Sequence, residues 1–228
     1  MSFKLVHESI FVPSPAEGTS VAGGSYYTKA EGVEMMSLHV YSSRSDILSD
    51  EYYRFSEDNG VSWSDAAHIS AGETTPEGTL RRHARGGYLD PVTGRFIKIR
   101  NQAILPDDRV GDFMRFNTVH YAVTLDGGRT DVFDEPLVQA GGGYNADHPL
   151  PNVSRGKNCF MLGDCTCMPI TLPDGTLLQP VQISPTGPDG EYHNPGGGFT
   201  YTDCAVIRGT WRDDLHIDWQ LAGKVSAD

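Results

Sequence analysis

Cysteine is scarce in this chain and clustered late. Only Cys159, Cys165, Cys167 and Cys204 occur, all in the last third. That distribution excludes the dense disulfide framework of a small stapled domain. Cys165 and Cys167 also lack the CxxC spacing typical of zinc sites. The four thiols therefore read as reduced, small, buried apolar side chains, and neither a metal nor another cofactor is expected. Long hydrophobic runs are missing too. No stretch approaches the roughly 20 apolar residues of a membrane helix, and Met1 to Val12 lacks the apolar core of a signal peptide. By default the chain is expected to be soluble and cytoplasmic. A basic excess is the third absence: 18 Lys and Arg face 30 Asp and Glu, a formal net charge of −12. This excludes a nucleic-acid or anionic-membrane surface, either of which needs a positive field.

What is present is turn chemistry. The 228 residues hold 26 Gly and 14 Pro, long apolar helical stripes are few, and apolar and aromatic residues come in short runs, so an all-β fold of many short strands is expected. The sharpest local signal is Ser56-Glu57-Asp58-Asn59-Gly60-Val61-Ser62-Trp63, which matches the S/T-x-D-x-G-x-x-W/F pattern of an Asp-box. In such a hairpin Asp58 accepts turn amides, Gly60 takes positive φ and Trp63 tucks its ring beneath the turn. A second copy, Thr124-Leu125-Asp126-Gly127-Gly128-Arg129-Thr130-Asp131, keeps Thr124, Asp126 and Gly128 but has no aromatic in its slot, and Phe133 lies two residues beyond.

Further Gly-containing turns, at Gly32, Gly94 and Gly175, each precede an extended segment. Each is followed by a second turn, at Asp58 to Gly60, Asp126 to Gly128, and Arg212-Asp213-Asp214. Two hairpins per unit make four strands, the count of a propeller blade. The expected organisation is a single domain over 1–228 with about three four-stranded antiparallel blades, at about 20–70, 80–138 and 160–222. Two long polar segments, 139–164 and 184–198, interrupt the pattern, and loops of that length often carry function. Three blades do not close a ring. The expected completion is a missing C-terminal half, or a second copy paired head to tail.

The full Asp-box, its echo and the four-strand spacing resemble the sialidase (neuraminidase) superfamily of six-bladed propellers, with Leu172-Pro173-Asp174-Gly175-Thr176-Leu177-Leu178 similar to an inner blade hairpin of its bacterial members. The resemblance implies a glycoside hydrolase acting on a carbohydrate. In that family three arginines grip the substrate carboxylate, an Asp on a blade 1 loop is acid/base, and a Tyr activated by Glu is the nucleophile. Asp46 occupies the acid/base place, with Asp50 a rival. The Tyr/Glu pair belongs to the second half, so this chain alone is expected to be inactive. The family's Arg-Ile-Pro phrase has no match, and no Arg precedes Arg44. That departure favours an alternative, a non-catalytic Asp-box propeller that binds glycans or proteins.

The substrate-binding candidates lie at the expected entrances to blades 2 and 3. On an extended chain Arg81, His83 and Arg85 share a face, and Arg85 beside Gly86-Gly87 is the strongest of the three. Arginines on an exposed strand are the plainer reading of the same cluster. Lys157, Asn158 and Asp164 flank blade 3, and Asp147 and His148 sit on the long loop, where capping is the competing role. Asn152-Val153-Ser154 fits a glycosylation acceptor but is read as coincidental. Trp211 and Trp219 are expected to pack between blades.

Overall fold

The computed structural model describes residues 8–44, 50–70, 72–108, 115–154, 160–163, 167–198 and 201–225. The regular structure among them is entirely β and falls into three antiparallel sheets. The first sheet takes β1 (Ser20–Tyr27), β2 (Met35–Ser42), β3 (Asp50–Ser56) and β4 (Ala67–Ser70) in that order. The second takes β5 (Glu73–Thr75), β6 (Gly78–Leu89), β7 (Phe96–Leu105), β8 (Arg115–Thr124) and β9 (Phe133–Pro136). In the third, β10 (Phe160–Met161), β12 (Leu177–Ile183), β13 (Asp203–Trp211) and β14 (Ile217–Val225) run side by side, while β11 (Ile170–Thr171) adds to β12. An all-β stack of such sheets is consistent with part of a propeller-like fold.

Period-two alternation decides which side chains each strand buries. On β7, Ile97 and Ile99 turn to the third sheet and join Val119, Tyr121, Leu177, Val181, Ile207 and Trp219, while Phe96 turns to the first sheet and joins Met36, Leu38, Val40 and Tyr53. Register slips once in β6, where Ala84 faces Arg100 but Gly86 faces Ile99. Arg85 is therefore the extra residue of a β-bulge. The unbroken period-two register assumed in expecting Arg81, His83 and Arg85 on one face is interrupted at this bulge.

The two matching turns are built alike. Ser56 Oγ accepts from Gly60 N at 2.9 Å, and Asp58 Oδ1 accepts from Ser62 N at 2.8 Å. Thr124 Oγ1 accepts from Gly128 N at 2.9 Å, and Asp126 Oδ1 from Thr130 N at 2.9 Å. Gly60 and Gly128 stand at φ 81° and 92°, which a side chain would strain. Trp63 donates its indole N–H to Gly60 O at 3.0 Å, and its ring is half-buried, not enclosed. Phe133 does not replace it: that ring stacks on His216 with centroids 4.1 Å apart and so packs toward the third sheet.

Between the second and third sheets the chain switches partners. Leu137 N donates to Val119 O at 2.7 Å, and Ala140 N to Trp219 O at 2.6 Å, so a few residues pair with β8 and then with β14. Nearby, the Asn101 amide donates to Leu162 O at 3.0 Å and accepts from Leu162 N at 2.7 Å. A side chain there does the work of a neighbouring strand. Both Trp211 and Trp219 serve this junction, Trp219 within the buried cluster and Trp211 through its indole N–H to Asp90 Oδ2 at 2.8 Å. Cys204 is exposed and Cys167 half-buried, a correction to the expected burial: Cys204 sits on the face of β13 opposite Ala205 and Ile207, and among the described residues that face carries no further sheet. Cys159 and Cys165 lie outside the described residues.

Candidate functional site

The two ends of the sheets differ. At one end short turns join β1 to β2, β6 to β7, β11 to β12 and β13 to β14. At the other, β7 and β12 run out into the long connections 106–114 and 184–202, of which 106–108, 184–198 and 201–202 are described, and β2 runs out at Ser43 and Arg44. Long connections on a rigid frame are where binding groups collect.

At that end one cluster bridges the first two sheets. Arg81, early in β6, donates from Nε to Asp108 Oδ1 at 2.9 Å and from NH2 to Asp108 Oδ2 at 2.8 Å, a bidentate fork. Arg44, beyond β2, donates from NH2 to the same Oδ2 at 2.8 Å and from NH1 to Asp108 O at 3.3 Å. The Arg81 side chain is 12% exposed and that of Arg44 53%. The hydrogen bonds from Arg81, followed by those from Arg44, hold the Asp108 carboxyl below the usual range despite partial burial. Two guanidinium groups on one carboxylate leave a surplus positive charge, presented by Arg44.

The other candidates are placed less centrally. Asp50 opens β3 and meets His68 Nε2 at 3.0 Å, both partly exposed. His83 is buried opposite Asn101, facing the third sheet. Asp147 and His148 form a capped turn, their backbone N–H groups donating to Asn145 Oδ1 at 2.9 and 3.0 Å, as loop residues do. Asp46, Lys157, Asn158 and Asp164 lie outside the described residues, as does the side chain of Arg85. Among the described residues no group of three or more His, Cys, Asp or Glu is arranged to hold a metal ion.

Sequence reasoning missed Asp108, because an aspartate after Pro106 reads only as a turn former. It also missed a charged cavity of about 170 Å³ between the first two sheets, lined by Glu51, Tyr53, Arg82, Lys98, Arg100 and Asp134 among others. Glu51 is 3% exposed, and one carboxyl oxygen accepts from Ala84 N at 2.8 Å, just before the bulge. Burial raises its pKa to about 6, against the pull of the Ala84 N–H, Arg100 and Arg82. The alternation Glu51, Tyr53, Phe55 along β3 is the one sign of an inward-facing acid that the sequence offers.

Solved structures share this arrangement of sheets. The Hadza microbial sialidase Hz136 superposes over 86% of this chain and 36% of its own, with a TM-score of 0.54 at 14% identity. A protein of unknown function from Dyadobacter fermentans superposes over 93% of this chain and 57% of its own, also with a TM-score of 0.54 at 14% identity. The fold is sialidase-like. At that identity the likeness concerns the fold alone, and the chain spans only about a third to somewhat over half of these relatives. No family model matches the sequence, and no curated protein matches it at a significant level.

Proposed function

We propose that this chain forms part of a sialidase-like propeller acting on an acidic sugar glycoside, engaged at the end of the sheets that carries the long connections. In this reading the three sheets are its blades at about 20–70, 80–138 and 160–222, and the turns at Ser56 and Thr124 are its Asp-boxes. The observation that carries the proposal is the Arg44–Asp108–Arg81 cluster. Its surplus guanidinium suits a substrate carboxylate, and it adjoins the connection holding Asp46, the proposed acid/base, two residues beyond Arg44. Arg85, Lys157, Asn158 and Asp164 are proposed to contact the sugar. The nucleophile and any further arginines would come from a second half or a second copy of the chain.

A second reading is favoured by the commitment of Arg81, whose Nε–NH2 edge is taken up by Asp108. A guanidinium so occupied orients its neighbour and does not itself grip, which suits a propeller that binds glycans without cleaving them. The discriminating experiment measures binding of a sialylated oligosaccharide and turnover of a fluorogenic sialoside. Arg44→Ala is expected to weaken binding about tenfold, the value of one charge-assisted contact. If Arg44→Ala binds like the parent, the proposed site is wrong. Turnover abolished by Asp46→Asn, with binding retained, selects the enzyme over the binder.

A further inference from the structure

The cavity between the first two sheets has a surplus of donors. Arg100 pairs through NH2 with Asp134, Lys98 with Asp131 at 2.6 Å, and Arg82 with Glu73 at 3.1 Å. Each cation thus has its own carboxylate, and Glu51 is the one acid left over. Arg100 Nε is buried and has no acceptor, and a buried donor left so costs about 1–3 kcal/mol. Tyr53, 8% exposed, and the Lys98 ammonium, held 5.0 Å over the Tyr53 ring, line the same space. At about 170 Å³ the cavity has room for several water-sized groups at about 30 Å³ each.

We infer that this cavity is a binding site for a small oxyanion of the carboxylate kind, and that the ionised Glu51 carboxylate and the anion exclude each other beside the same hydrogen-bond donors. With Glu51 ionised, its own carboxylate meets the field of Arg100 and Arg82. With Glu51 protonated, the carboxylates no longer outnumber the cations, and Arg100 Nε, Lys98, the Tyr53 hydroxyl and the Glu51 O–H all offer hydrogens. The other groups facing Glu51 are fixed in charge by their pairs. His120 stands behind Asp134, its Nδ1 3.2 Å from Asp134 Oδ1. The site is separate from the Arg44–Asp108–Arg81 cluster and does not depend on the proposed function.

Formate is the probe, with a bulky sulfonate as balancing anion at constant sodium concentration, and the thermal unfolding midpoint as readout. Formate is expected to raise the midpoint at about pH 5. Since Glu51 titrates near 6, the apparent affinity should fall about thirtyfold by about pH 7.5, in proportion to the protonated fraction. Glu51→Gln keeps an acceptor for Ala84 N and places a donor toward the cavity. It should bind formate at both pH values and remove most of the thirtyfold ratio. Tyr53→Phe should weaken binding and leave the ratio unchanged. The inference is overturned if formate leaves the parent's midpoint unmoved at about pH 5, which would mean that water alone answers the donors, or if Glu51→Gln retains the parent's ratio.

Discussion

The two seams of this molecule are made of different materials. Among the described residues, a cluster of 17 buried hydrophobic residues closes the junction between the second and third sheets, whereas the corresponding cluster between the first and second sheets has six, and charged side chains line a cavity there. One buried aspartate anchors the apolar seam. Asp90 accepts from Val92 N at 3.1 Å, Thr93 Oγ1 at 2.5 Å, Thr171 Oγ1 at 2.9 Å and Trp211 Nε1 at 2.8 Å. Burial pushes its pKa up, but the bonds from Thr93, Val92, Thr171 and Trp211 outweigh it and hold the carboxyl below its ordinary value. Glu51, in the polar seam, has one backbone donor and is pushed the other way. The lesson is that burial alone does not set an acid's charge; the number of donors brought to it does.

The contrast can be broken most severely at Trp219. Its ring packs so closely on Gly209 that an added methyl there would stand 2.6 Å from it. Trp219→Ala should cost about 3–5 kcal/mol, the range for a large aromatic removed from a core, read from the urea midpoint. Asp90→Ala comes next. It strands buried donors on two sheets at about 1–3 kcal/mol in all, and it should also remove a pH dependence. A carboxyl with a depressed folded pKa gives stability that is present above its unfolded pKa and lost as pH falls through the folded value. The parent should therefore weaken more than the variant below about pH 4.

Glu51→Gln sharpens the comparison from the other side, with the smallest effect and the opposite sign. Glu51 has a folded pKa of about 6 against an ordinary value of 4.5, so the native state holds the extra proton between those values. Stability then falls as pH rises through that window, and the full cost, about 2 kcal/mol, stands above it. Without added formate, Glu51→Gln should stabilise the protein by up to about that much near pH 7.5 and by nothing below about pH 4. Chemical denaturation at the two pH values checks it, and equal effects at both would remove the charge explanation.

The hairpins were legible in the sequence because their chemistry is local. Gly32, Gly94 and Gly175 all stand at positive φ in short turns, and Ser56 and Thr124 cap their own turns within four residues. The expected all-β class and most strand positions follow from that. The bulge at Arg85 was not legible, since Gly86-Gly87 signals a close backbone without saying which residue is extra. Nor was the Arg81–Asp108 fork, which joins residues from separate strands, or the exposure of Cys204, which depends on what covers one face of β13. Position in a turn is written in neighbouring residues. The partner of a charge is written in the topology.

The partner switch near Leu137 has a mechanical meaning. Because that short segment is bonded first to β8 and then to β14, it acts as a splint across the outer edges of two sheets. A force prising those edges apart is carried along the segment's own backbone to bonds at both its ends, so it strains the apolar seam only after the splint has let go at Val119 or at Trp219.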